Sequence, residues 1–224
     1  MKIDLHCHSY YSPDGICSPK KLLERAKKRG LDGIALTDHN TTAGWPEAKR
    51  VAQRLKMFLI LGEEIKIKKE GKVMGEILGY FLKEEINPKG KTIEAVIKEI
   101  KQQGGIAIIA HPFHRRKPFK ELEKYKNLVD GIEVFNPRSQ TKKGNEMALK
   151  FAKINDLPMT AGSDAHSCWE VGNAFIETKA KNLQELKEAI LKKEVKICGK
   201  QSPLFVPLST SLGRILHLFW KPQN

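Results

Sequence analysis

Cysteine is scarce in this chain. Only Cys7, Cys17, Cys168 and Cys198 occur among 224 residues, and none forms a CxxC pair. A disulfide framework is not expected, and Cys7 and Cys168, which lie beside histidines, read as small buried fillers rather than ligands. Long apolar runs are missing as well. The longest, "MFLIL" (57–61) and "IAIIA" (106–110), are far too short to cross a bilayer. Asp4 and His6 interrupt the N-terminus before a secretory signal can form, so the expected setting is the cytoplasm. No G-x-G-x-x-G follows the first strand and no GK[ST] is present, which removes the usual dinucleotide and P-loop sites. Internal repeats and low-complexity tracts are also absent.

Acidic residues are outnumbered, 26 against 40 basic ones, for a formal charge of +14. Such a field favours anionic partners such as nucleotides, nucleic acids or phosphorylated metabolites. The lysines are spread along the chain, so the charge permits a phosphate substrate without proving nucleic-acid binding. A hydrophobic content of 40% supports a true core and argues against disorder.

Short apolar runs alternate with amphipathic stretches of 10–15 residues. "KIDLHCH" reads as a strand. In "SPKKLLERAKKRG", Ser18 can cap a helix, Pro19 suits its first position and Gly30 ends it. "DGIALTDHN" is a buried strand, "TAGWPEAKRVAQRLK" a helix and "MFLILGEEI" a third strand. Residues 65–82 alternate around Glu70-Gly71 as a hairpin. Helix, strand, helix and strand follow through "KTIEAVIKEIKQQGG", "IAIIAH", "FKELEKYKNL" and "VDGIEVFN". "NEMALKFAKIND" is helical, "LPMTAGSDAH" and "GNAFIETK" are strand-like, and "NLQELKEAILKKE" is a helix capped by Asn182. This order predicts parallel βα units, near seven, in a closed or nearly closed (β/α) barrel, with a doubly wound sheet as the second choice. Residues 1–200 form the expected domain, and 201–224 a basic tail, broken by Pro203 and Pro207, that docks back on it.

Five of the seven histidines fall at the carboxyl ends of these strands: His6, His8, His39, His111 and His166. Asp4, Asp38, Glu63, Glu64 and Asp164 recur at the same places. In a parallel barrel those ends share one rim. One strand-end histidine is ordinarily a structural residue. Several strands delivering His, Asp or Glu to one rim are hard to explain by packing. Alternate strand residues share a face, so His6 and His8 can reach one ion, and Asp164 and His166 have the same spacing. Mixed imidazole and carboxylate ligands suit zinc, manganese or iron, and the donors are too many for a single ion.

The ordered set DLHCHS, TDHN, GEE, AHP, GSDAH resembles the PHP domain (polymerase and histidinol phosphatase) over roughly residues 1–200. The resemblance implies a distorted (β/α)7 barrel and a metal-dependent phosphoesterase with two or three divalent ions at the strand ends. It implies that His6, His8 and Asp164 bind a first ion, with Glu64 as bridge to a second held by His111. Asp14, His39 and His166 would take a third. Glu64, Asp164 and His166 would then act through an ion-activated hydroxide that attacks phosphorus. Glu63 is the alternative to Glu64. Two departures stand out. Glu76 occupies a place where many relatives carry histidine, and an oxygen ligand there favours manganese or iron. Pro13 looks inserted before Asp14.

Arg115, in "HPFHRR", and Arg138, in "FNPRS", are the candidates for gripping a substrate phosphate, since a guanidinium fork matches its oxygens. Asp38 would orient His39 or cap the turn, and Glu133 reads as structural. The expected activity is hydrolysis of nucleotides or of the 5′ ends of short nucleic acids. A histidinol-phosphate phosphatase is the alternative enzyme. A non-catalytic, metal-stabilised module that binds nucleic acid or a partner is the alternative of another class.

Overall fold

The structure is a computed structural model that describes residues 1–114, 118–139 and 142–201, together with residues 211 and 215. Among the described residues fifteen elements are named: β1 (Lys2–Cys7), α1 (Pro19–Lys28), β2 (Gly33–Leu36), α2 (Trp45–Leu55), β3 (Phe58–Lys69), β4 (Lys72–Tyr80), α3 (Ile93–Gln102), β5 (Ile106–Ile109), α4 (Leu122–Tyr125), β6 (Gly131–Phe135), α5 (Lys142–Ile154), β7 (Met159–Ala161), β8 (Ala174–Glu177), α6 (Leu183–Leu191) and β9 (Lys196–Gly199). Local chemistry sets several boundaries. The side chains of Ser18, Thr92 and Asn182 accept the Lys21, Ala95 and Glu185 amides and so satisfy orphan donors at the starts of α1, α3 and α6. Gly30, at φ 74°, supplies the left-handed turn that ends α1.

One nine-stranded sheet runs in the order β7-β6-β5-β4-β3-β2-β1-β8-β9. Strands β1 to β7 are therefore neighbours in sequence order and curl into a nearly closed barrel. Closure falls on the segment after β7. Ala165 bridges Cys7 in parallel, and the His8 amide donates to the Ala165 carbonyl at 2.8 Å. Gly162 makes this approach possible, since a Cβ there would lie 2.3 Å from the Cβ of His6. β2 and β5 are buried along their whole length, which is why each reads as an unbroken apolar run.

The apolar interior has two parts. Ile3, Leu5, Ala35, Ile60, Leu78, Tyr80 and Ile108 belong to a core cluster contributed mainly by the strands. Leu22, Leu23, Val51, Val96 and Ile100 come from the helices and pack with Ile34 and Leu36. Each fully buried Leu or Ile contributes about 1.5–3 kcal/mol.

Three details differ from the sequence expectations. The third strand and the first arm of the hairpin are one twelve-residue strand, β3, and β4 runs antiparallel to both β3 and β5. The helix expected across "FKELEKYKNL" shrinks to Leu122–Tyr125. A disulfide, not expected from the cysteine spacing, joins Cys17 to Cys168 across 151 residues of sequence. The two cysteines meet because barrel closure brings the loop after β1 against the loop after β7. Most of residues 201–224 lies outside the described residues, and with it the expected docking of the tail. No helix among the described residues is long and apolar enough to cross a membrane.

Candidate metal centre

The candidate residues converge on one end of the barrel. His6 lies one residue before the end of β1, and His8 just beyond it. His39 lies just beyond β2 and bridges to Glu64 at the level where the β2–β3 pairing stops. His111 follows β5, and Asp164 and His166 follow β7. Glu76 reaches the same place from an antiparallel strand, where it pairs in register with Lys66.

Glu64 is central. Its Oε1 lies 2.9 Å from His111 Nε2, and its Oε2 lies 2.9 Å from His39 Nδ1, 3.3 Å from His8 Nε2 and 3.5 Å from His6 Nε2. On the other side, Asp164 Oδ1 is 3.3 Å from His8 Nε2 and 3.7 Å from His6 Nε2. Asp14 completes the set despite Pro13. Its Oδ1 is 3.3 Å from His166 Nε2 and its Oδ2 is 3.8 Å from His39 Nε2. Glu76 Oε2 approaches His111 Nε2 at 3.5 Å. All nine candidate ligands, His6, His8, Asp14, His39, Glu64, Glu76, His111, Asp164 and His166, are thus brought together, and all are buried.

The backbone is unusual at two of these positions. His111 has φ 22° and Asp164 φ 52°, conformations that cost a non-glycine residue energy and concentrate at functional sites.

Protonation follows from crowding. Burial lowers His8 and His111, but the nearby carboxylates of Asp164 and Glu64 overcome it at His8, and Glu64 does the same at His111. Both titrate near 9. Burial opposes ionisation of Glu64, yet His39 and His6 hold it well below the ordinary carboxylate range. Asp164 is likewise held low, against burial, by His6 and His8. His166 is driven the other way, to about 4, by burial and by the charges of His8 and Arg138. Protons on imidazoles compensate the buried carboxylates.

Do these residues fit divalent ions? Nε2 of His6, both ring nitrogens of His8, Nδ1 of His39 and Oε2 of Glu64 are buried without a hydrogen-bond partner. Buried polar atoms are seldom left so. Here they belong to groups whose donor atoms lie close enough together to hold an ion each: His6-His8-Glu64, His6-His111-Asp164, His8-His39-His166 and His39-Glu64-Glu76. Imidazole with carboxylate is the donor chemistry of Zn, Mn and Fe sites. The residues fit.

The surroundings assign other roles. Glu133 Oε1 sits 2.9 Å from His6 Nδ1, and its Oε2 accepts the His111 amide. Asp38 accepts the amide and hydroxyl of Ser9, so it caps the turn after β1. Asp4 accepts the Ser163 and Gly172 amides and ties the closure together. Glu63 points away from the cluster and accepts the Ile86 amide. Arg138 is buried, paired with Glu170, with its Nε 4.0 Å from Asp164. Arg115 lies outside the described residues. Lys66 was not among the sequence candidates, yet its Nζ is 3.0 Å from Glu76 Oε1. Its signal was present: Lys66 is two residues after Glu64 on one strand and so shares its face.

Comparisons with known proteins agree with this architecture. The sequence matches the PHP domain family over residues 4–194. An uncharacterised protein of Methanocaldococcus jannaschii is 37% identical over 171 residues, covering 72% of this chain and 96% of its own. A 5′-3′ exoribonuclease of Haemophilus influenzae is 46% identical over an alignment of 250 residues, covering 74% of this chain and 90% of that protein. Among solved structures, a two-domain protein of Bacteroides vulgatus with a PHP-like phosphoesterase part superposes with a TM-score of 0.70 at 23% identity, over 89% of this chain and 64% of that one.

Proposed function

The chain belongs to the PHP domain family of metal-dependent phosphoesterases, and we propose that it removes nucleotides or phosphate from the 5′ ends of short nucleic acids and from nucleotides. The observation that carries the substrate reading is the 46% identity with the Haemophilus 5′-3′ exoribonuclease, spread over 74% of this chain. The charge of +14 is compatible with a polyanionic substrate.

In this reading His6, His8 and Asp164 would hold one ion, His111 and Glu76 a second with Glu64 shared between the two, and Asp14, His39 and His166 a third. Bound ions supply Lewis acidity, which makes a water nucleophilic at neutral pH and offsets charge on phosphoryl oxygens. The chain's own contribution is positional. Glu133 fixes the ring of His6, and Asp38 and Asp4 fix the loops that carry His8 and Asp164. Manganese, iron and zinc all suit the donors, and the oxygen of Glu76 favours the first two.

The test is direct. Full-length protein loaded with manganese is given a 5′-phosphorylated trinucleotide, nucleoside monophosphates and histidinol phosphate. Release of mononucleotide or phosphate from the first two, abolished by His8→Ala, is expected. Turnover of histidinol phosphate alone would favour the alternative phosphatase. Salt-dependent RNA binding with no turnover would favour a binding module.

A further inference from the structure

Among the described residues, Lys66 is the cation nearest the cluster that the ligand assignments leave unused. Its ammonium lies 3.0 Å from Glu76 Oε1 and 3.4 Å from His39 Nε2, so it stands between candidate ligands of two different ions. The side chain is only 16% exposed, and that of Glu76 only 4%. A solvated lysine does not sit this way. Burying an ammonium among ligands opposes cation binding by charge, so the position calls for another reason.

Its donors suggest one. An ammonium has three N–H groups. Glu76 Oε1 and His39 Nε2 both lie within reach of them. Glu76 has a second oxygen, 3.5 Å from His111 Nε2, and can serve the centre while Lys66 keeps the first. His39 Nε2 has a single lone pair. Once that lone pair is given to a cation, it no longer accepts from Lys66, and an N–H of the ammonium held by Glu76 is left without that acceptor. A phosphate ester is the anion this site is built for. We propose that Lys66 is a substrate-contacting residue that, held by Glu76, donates a hydrogen bond to a non-bridging oxygen of the substrate phosphate. The proposal rests on the phosphoesterase reading.

Lys66→Met and Lys66→Arg are compared with wild type as manganese-loaded full chains. Manganese content is measured by elemental analysis, inorganic phosphate affinity by calorimetry, and KM and kcat with the best substrate. Equal manganese content is expected, with phosphate affinity and KM weakened about tenfold or more in Lys66→Met and largely restored in Lys66→Arg. Should the methionine variant fail to fold, Lys66→Gln takes its place. Phosphate affinity unchanged in the uncharged variant overturns the proposal while leaving the phosphoesterase reading intact. Manganese lost together with phosphate affinity also overturns it, because Lys66 would then act only by supporting Glu76. No phosphate binding by the loaded wild type overturns both readings.

Discussion

The carboxylate of Glu133 reaches from β6 to Nδ1 of His6 on β1, 2.9 Å away. The same carboxylate accepts the backbone N–H of His111, at a residue whose φ of 22° needs outside support. One buried acid therefore aims two candidate ligands. A carboxylate on the far nitrogen of a histidine fixes its tautomer and raises its basicity toward a metal.

Glu133→Gln tests this. The amide keeps the size and can still accept from His111, but it loses the charge that orients His6. Manganese affinity is expected to fall about 10–100-fold with little change in the far-ultraviolet circular dichroism spectrum. Affinity equal to wild type would show that His6 is oriented by packing alone.

Metal binding should release protons. His8 and His111 titrate near 9 in the metal-free protein, so both are protonated at pH 7.5. A cation must displace those protons, and apparent affinity should climb as pH rises toward 9. Calorimetry at pH 7.5 in two buffers of different ionisation enthalpy measures the protons released. Identical heats in the two buffers would contradict the assignment.

Glu63 gives a stability prediction independent of the ions. Burial, reinforced by the charge of Glu85, raises its carboxyl to about 8, against 4.5 in the unfolded chain. Between those values the folded state holds a proton that the unfolded state has lost. Stability therefore falls as pH rises from 4.5 to 8 and is flat above. Glu63→Gln removes this dependence and keeps an acceptor for the Ile86 amide. The variant should match wild type near pH 4 and melt higher at pH 8.5, by about 2–4 °C for each kcal/mol recovered. Equal melting temperatures at pH 8.5 would rule the explanation out.

What the sequence revealed, and what it hid, follows the range of the interactions. The apolar runs of β2 and β5 and the caps of α1 and α6 are local, so element order and the barrel were legible. The donor set was legible because β-strands bring strand-end residues to one rim in order. Glu76 and Lys66 were harder to read. They sit on β3 and β4, where the antiparallel pairing breaks the strand-end rule and only the cross-strand register joins them. The pairing of Arg138, a phosphate-grip candidate, with Glu170 was hidden, because Glu170 lies 32 residues away on another loop. The link between Cys17 and Cys168 depends on barrel closure, which spacing alone does not encode.

That disulfide carries the last prediction. Cys17 lies three residues after Asp14, and Cys168 two residues after His166. Asp14 and His166 face each other at 3.3 Å. The Cα atoms of the two cysteines are 5.7 Å apart, within the range a bridge requires. The bond thus pins two rim segments that carry candidate ligands for one ion, and it closes a loop of 151 residues. Chain-entropy arguments give such a link about 2–5 kcal/mol of stability. Protein purified without reductant and denatured should show two titratable thiols, Cys7 and Cys198, and four after reduction. Reduction should also lower the melting temperature, and it should weaken binding of the ion between Asp14 and His166 more than the others, because those two ligands lose their shared anchor. Four thiols before reduction would show that the bridge does not form in the purified protein.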